Sequence, residues 1–78
     1  MPTVFKKDGF RFFFFCNDHT PIHVHVRKGD GEAVFEVESL VCLRESAGMG
    51  VKDLSRAEKL AIEQQDLIVK KWHEHFGR

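Results

Sequence analysis

The sequence predicts an α+β fold: an antiparallel sheet of three to five strands with one long C-terminal helix packed on its apolar face. Three observations carry this. Apolar and polar residues alternate with period two through the first half of the chain. Lys28-Gly29-Asp30-Gly31 separates two such runs with hairpin chemistry. The last third repeats its apolar residues at helical spacing from Ala57 to Phe76. With 78 residues, 42% hydrophobic and 31% charged, the chain has room for one domain (1–78) and the composition of a folded one. Strands are expected over about 3–43, a loop over 44–54 and the helix over about 56–76.

Thr3–Phe5 is short and β-prone, and Lys6-Lys7-Asp8-Gly9 follows as a reversal with glycine at its end. Phe10–Cys16 reads FRFFFFC, a second strand. Phe10, Phe12 and Phe14 take one face; Arg11, Phe13 and Phe15 take the other, wet at one end and dry at the other. Asn17–Pro21 is a loop by composition, and Ile22–Lys28 is the next strand. A type II′ turn at Gly29-Asp30 pairs Lys28 with Gly31, and the register follows outward. Val26 meets Ala33, Val24 meets Phe35 and Ile22 meets Val37 on an apolar face. Arg27 meets Glu32, His25 meets Val34 and His23 meets Glu36 on the other. A slip of one residue destroys both patterns, so the register is strongly specified. Leu40–Leu43 suits either a further strand or a buried connector, and Ser46–Gly50 breaks it.

Ser55-Arg56-Ala57-Glu58 has the form of a capping box, and Gly77 offers a left-handed stop after Phe76. Between them lie about 21 residues, roughly 32 Å of helix. Val24, Val26, Phe35, Leu60, Ile68 and Trp72 are the expected core, while Ile62 and Val69 widen the helix's apolar stripe as candidate partner-binding residues. His73 and His75 suit the negative end of the helix.

Several function classes are excluded or disfavoured. Lys+Arg and Asp+Glu both number 12, so no bulk positive charge points to nucleic acid. No apolar run approaches the ~18 residues of a membrane span, and Met1–Lys7 lacks the pattern of a signal peptide. Cys16 and Cys42 are expected as buried thiols in a reducing cytoplasm. Phosphate-loop, nucleophile-elbow and zinc-finger spacings do not occur.

His19, His23 and His25 fall within seven residues. On a strand His23 and His25 project to one face with Arg27, opposite Glu36, while Asp18 and His19 approach from the loop. Three chemistries suit this set. His23 and His25 can share an ion, with His19, Asp18 or Glu36 as a third ligand. Without metal they can act as acid and base in RNA cleavage, with Arg11, Arg27 or Lys28 as a cation for the phosphorane. Alternatively they belong to a half-exposed strand, with His23 hydrogen-bonded to Glu36 for register, on a surface that binds a partner.

Pro2-Thr3-Val4-Phe5, Gly9-Phe10-Arg11-Phe12 and the segment Asn17-Asp18-His19-Thr20-Pro21-Ile22-His23-Val24-His25-Val26 resemble a small prokaryotic family, domain of unknown function 4160. The Gly29 turn, Ala33, Phe35, Lys59-Leu60 and the Trp72–Phe76 ending fit the same pattern, which has a second proline where this chain has Ile22. The resemblance implies a cytoplasmic protein often encoded beside a second small protein, domain of unknown function 2442, in pairs of toxin–antitoxin type. It transfers no catalytic residue and no cofactor. The leading expectation is therefore a toxin–antitoxin-type or regulatory component that binds a small protein partner. A His-dependent ribonuclease and a metal-binding module are the alternatives. A sheet with two edges and no net charge also suits pairing with a second copy of the chain.

Overall fold

The computed structural model describes residues 3–77, leaving Met1, Pro2 and Arg78 outside. Five strands form one sheet in chain order: β1 (Thr3–Lys7), β2 (Phe10–Phe13), β3 (His23–Lys28), β4 (Gly31–Glu36) and β5 (Cys42–Ala47). Every neighbouring pair is antiparallel. Two helices follow, α1 (Val51–Glu63) and α2 (Gln65–Phe76).

The central hairpin has the register its turn chemistry dictates. Lys28 pairs with Gly31, Val26 with Ala33, Val24 with Phe35 and His23 with Glu36. The Val37 amide donates to the Ile22 carbonyl at 2.9 Å, extending the match one step further. Gly29 has φ +57°, the sign that the first position of a type II′ turn needs. At the first hairpin both Asp8 (φ 54°) and Gly9 (φ 83°) are left-handed, as a type I′ turn requires.

One face of the sheet carries the core. Phe10, Phe12, Phe14, Ile22, Val24, Val26, Ala33, Phe35 and Val37 pack against Ala57, Leu60, Ala61, Ile68 and Trp72 of the helices. All six residues expected in the core are buried. On the opposite face Phe13 is also buried, beneath the guanidinium of Arg11 at 4.7 Å and that of Arg27 at 5.9 Å. That face is wet at its Arg11 end and dry at Phe13, as the alternation implies.

Elsewhere the structure corrects the sequence reading. β2 ends at Phe13 rather than Cys16. There the Phe15 amide donates to the Asp18 carboxylate and the Asp18 amide to the Phe15 carbonyl, closing a turn that competes with the ladder. β5 runs to Ala47, four residues into the expected loop. Its Arg44-Glu45-Ser46-Ala47 stretch has no apolar alternation to reveal it, because the strand is exposed on both faces. Both cysteines are exposed rather than buried. Cys16 falls in the turn after β2 and Cys42 opens β5, and neither place is roofed by the helices.

The single long helix is two helices. α1 begins at Val51, a full turn ahead of Ser55, so the expected capping box lies inside it and Gly50 is the N-cap. The extra turn places Leu54 at the core margin and Asp53 against Lys28, with Nζ to Oδ1 at 3.2 Å. Asp53 also lies in the first turn, where the helix dipole favours an acid. The break falls at Gln64, which has φ −107°. Next to it, the side-chain amide of Gln65 donates to the carbonyls of Val37 and Ser39 at the exit of β4. Gly77 stops α2 in the left-handed conformation, as expected. No helix among the described residues is long and apolar enough to cross a membrane.

The first turn is tied to α1 by Asp8, which accepts from Arg56. That hydrogen bond holds the Asp8 carboxyl below its ordinary range. A depressed carboxyl stabilises the fold above its unfolded pKa of ~3.9, and the contribution is lost as pH falls through the folded value. Asp8→Asn keeps a side chain that tolerates the left-handed turn and removes only the charge. The expected outcome is a shallower fall in melting temperature below pH ~4 than in the wild type. Parallel melting curves across that range would show that the ion pair does not contribute.

Candidate functional site

The turn after β2 and the start of β3 bring three ionisable side chains together. Asp18 Oδ2 accepts from the Phe15 amide at 2.8 Å, which anchors the carboxylate within its own turn. Oδ1 of the same carboxylate lies 3.2 Å from His23 Nε2 and 3.1 Å from His25 Nε2. The two imidazoles reach it because they stand two residues apart on one strand face. Their ring centroids are 5.2 Å apart.

Each ring is fixed on a second side. His23 Nδ1 lies 2.8 Å from the Pro21 carbonyl oxygen, and the ring leans on Trp72 of α2 at 5.3 Å. His25 stacks on Phe13 at 5.6 Å and meets the edge of Phe15 at 4.4 Å. The aromatic run of β2 is therefore part of the site: Phe14 faces the core, while Phe13 and Phe15 wall in His25.

Burial is the largest single influence on Asp18 and opposes its ionisation. The Phe15 amide, the hydrogen bond from His25 and the charges of both imidazoles outweigh it and hold the carboxyl below its ordinary range. The site is thus built around a carboxylate. It opens onto a concavity of about 290 Å³ whose walls also include His19, Arg44 and Glu45.

The candidate residues separate into those the fold assembles and those it does not. Asp18, His23 and His25 form the cluster. His23 is buried, where exposure was expected, because Trp72 and the Asp18 turn close over it; His25 is half-buried. Glu36 stands opposite His23 in the ladder, but the carboxylate that meets the imidazole is Asp18. His19 is exposed on the rim. Arg27 is engaged by Glu32 at 3.2 Å and by the face of Phe13. On the helices, Ile62 is exposed, whereas Val69 packs at the margin of the core. Sequence reasoning missed the walls, Phe13 and Phe15, although their odd-numbered alternation with Arg11 placed them on the histidine face.

This geometry limits the chemistry. RNA cleavage by two imidazoles needs one free nitrogen on each side of a phosphate. Here both Nε2 atoms converge on one carboxylate oxygen, an arrangement suited to holding a proton or a cation.

A family model described as a domain of unknown function (DUF4160) matches residues 9–73, an interval that contains the whole cluster. No curated protein and no solved structure matches the chain significantly.

Proposed function

Since the chain belongs to the DUF4160 family, whose description assigns no activity, we propose from its own surface that it is the partner-binding component of a toxin–antitoxin-type or regulatory pair. It works in a prokaryotic cytoplasm, and its partner is the small protein encoded beside it, of the domain of unknown function 2442 type. The observation that supports this is β5. All six of its residues are exposed, and it ends the sheet, paired with β4 on one side only. Its other edge presents backbone donors and acceptors over about 20 Å, the length of one ordinary strand.

The occupant is an extended segment of the partner, added to the sheet at this edge. Leu43 on β5 (41% exposed) and Leu40 just before it (86%) supply apolar contact where the added strand would enter. Arg44 and Glu45, with the irregularity in register opposite Val34 and Phe35, discourage indiscriminate edge pairing and demand a matched partner. The ribonuclease alternative draws less support, because the two imidazoles it needs share a single carboxylate oxygen.

Co-expression with the neighbouring gene product tests the reading. The two chains are expected to co-purify, and Leu43→Lys is expected to weaken the complex by roughly tenfold or more, as loss of a central apolar contact does. The variant should fold normally, since Leu43 is outside the core. Failure of the wild type to co-purify, or an unchanged affinity in Leu43→Lys, would refute docking at β5.

A further inference from the structure

The backbone dictates the tautomer of His23. Its Nδ1 lies 2.8 Å from the Pro21 carbonyl oxygen, which can only accept, so Nδ1 carries the hydrogen. In the neutral ring Nε2 is then a bare lone pair. That nitrogen lies 3.2 Å from Asp18 Oδ1, another acceptor, with the two side chains only 6% and 9% exposed. Two acceptors in such a place repel unless a positive species lies between them. His25 Nε2 approaches the same oxygen at 3.1 Å, and the three ligand atoms all lie within 4.8 Å of one another.

We propose that Asp18, His23 Nε2 and His25 Nε2 form a binding site for a divalent transition metal of the zinc type. Donors about 2.0–2.1 Å from a tetrahedral ion stand about 3.3 Å apart, close to the two short separations seen here. Two imidazoles and one carboxylate select such an ion over magnesium or calcium, which take oxygen donors. The surroundings are those of a braced ligand set. The Pro21 carbonyl orients His23 through its second nitrogen, and the Phe15 amide holds the carboxylate through its second oxygen. The three residues line the concavity shared with His19, Arg44 and Glu45, so an ion held by them would remain open to an exogenous ligand. This site is independent of the β5 edge and does not rest on partner binding.

The test uses the full chain, stripped with chelator and titrated with zinc by calorimetry. Cobalt absorption in the visible provides a second readout of tetrahedral nitrogen and oxygen donors. One ion per chain and a raised melting temperature are expected. His25→Gln and Asp18→Asn should each weaken binding by roughly tenfold or more while keeping the wild-type circular dichroism. The double variant His73→Gln with His75→Gln should bind as the wild type does. The proposal is overturned if the folded wild type takes up no zinc in large excess. It is also overturned if affinity survives both cluster substitutions or depends on His73 and His75. Nitrogen NMR supplies a last discriminator: His23 with both ring nitrogens protonated after zinc treatment would assign the positive species to a proton and refute the metal.

Discussion

Trp72→Ala is expected to destabilise the fold by ~3–5 kcal/mol, the cost of removing a large aromatic ring from a packed core. A chain of this size has roughly 4–12 kcal/mol in total, so the variant should lose a large share of its stability and melt far below the wild type. The ring is fully buried and joins three parts of the molecule. It meets Phe14 edge-on at 5.4 Å, leans on His23 at 5.3 Å and packs on Phe76 at 4.3 Å. Its loss therefore loosens the end of β2, the start of β3 and the C-terminal turn of α2 together. Trp72→Phe separates volume from polarity. The indole Nε1 is buried and has no hydrogen-bond partner among the described residues, so phenylalanine removes an unsatisfied donor along with one ring. Its cost should be well under half that of alanine. Urea denaturation followed by circular dichroism measures both. A loss under ~1.5 kcal/mol in Trp72→Ala would mean that the helix layer is not held by this ring.

Asp18→Ala is the second large effect, with an expected loss of ~2–4 kcal/mol. The carboxylate is almost enclosed and serves the Phe15 amide through one oxygen and both imidazoles through the other. Alanine leaves that amide and the His25 ring nitrogen without their acceptor, and unpaired buried donors carry most of the cost. Asp18→Asn should lose much less, because its amide oxygen can still accept from Phe15. The same denaturation experiment applies. A loss of under ~1 kcal/mol in Asp18→Ala would show that the cluster adds nothing to stability in the absence of an ion.

The residues themselves determined the central hairpin, the apolar face and the helical stripe. In each case turn chemistry and periodicity act over a few residues and agree with each other. Gly29 needs its left-handed φ whatever the rest of the chain does, and Val24, Val26, Ala33 and Phe35 reach one face in only one register. The pairing of His23 and His25 on one strand face followed from the same alternation.

Tertiary structure decided what depends on contacts between distant segments. Nothing in Glu63-Gln64-Gln65 disfavours a helix. The break comes from packing on the sheet, where the Gln65 amide meets carbonyls 28 and 26 residues earlier in the chain. β5 exists because β4 offers it a ladder, not because its exposed residues alternate. α1 starts early because Leu54 finds the core and Asp53 finds Lys28. The site shows the same division. Spacing placed two imidazoles side by side, but the choice of Asp18 over Glu36 as their carboxylate rests on a turn closed by the Phe15 amide, a local hydrogen bond that leaves no periodic trace in a sequence.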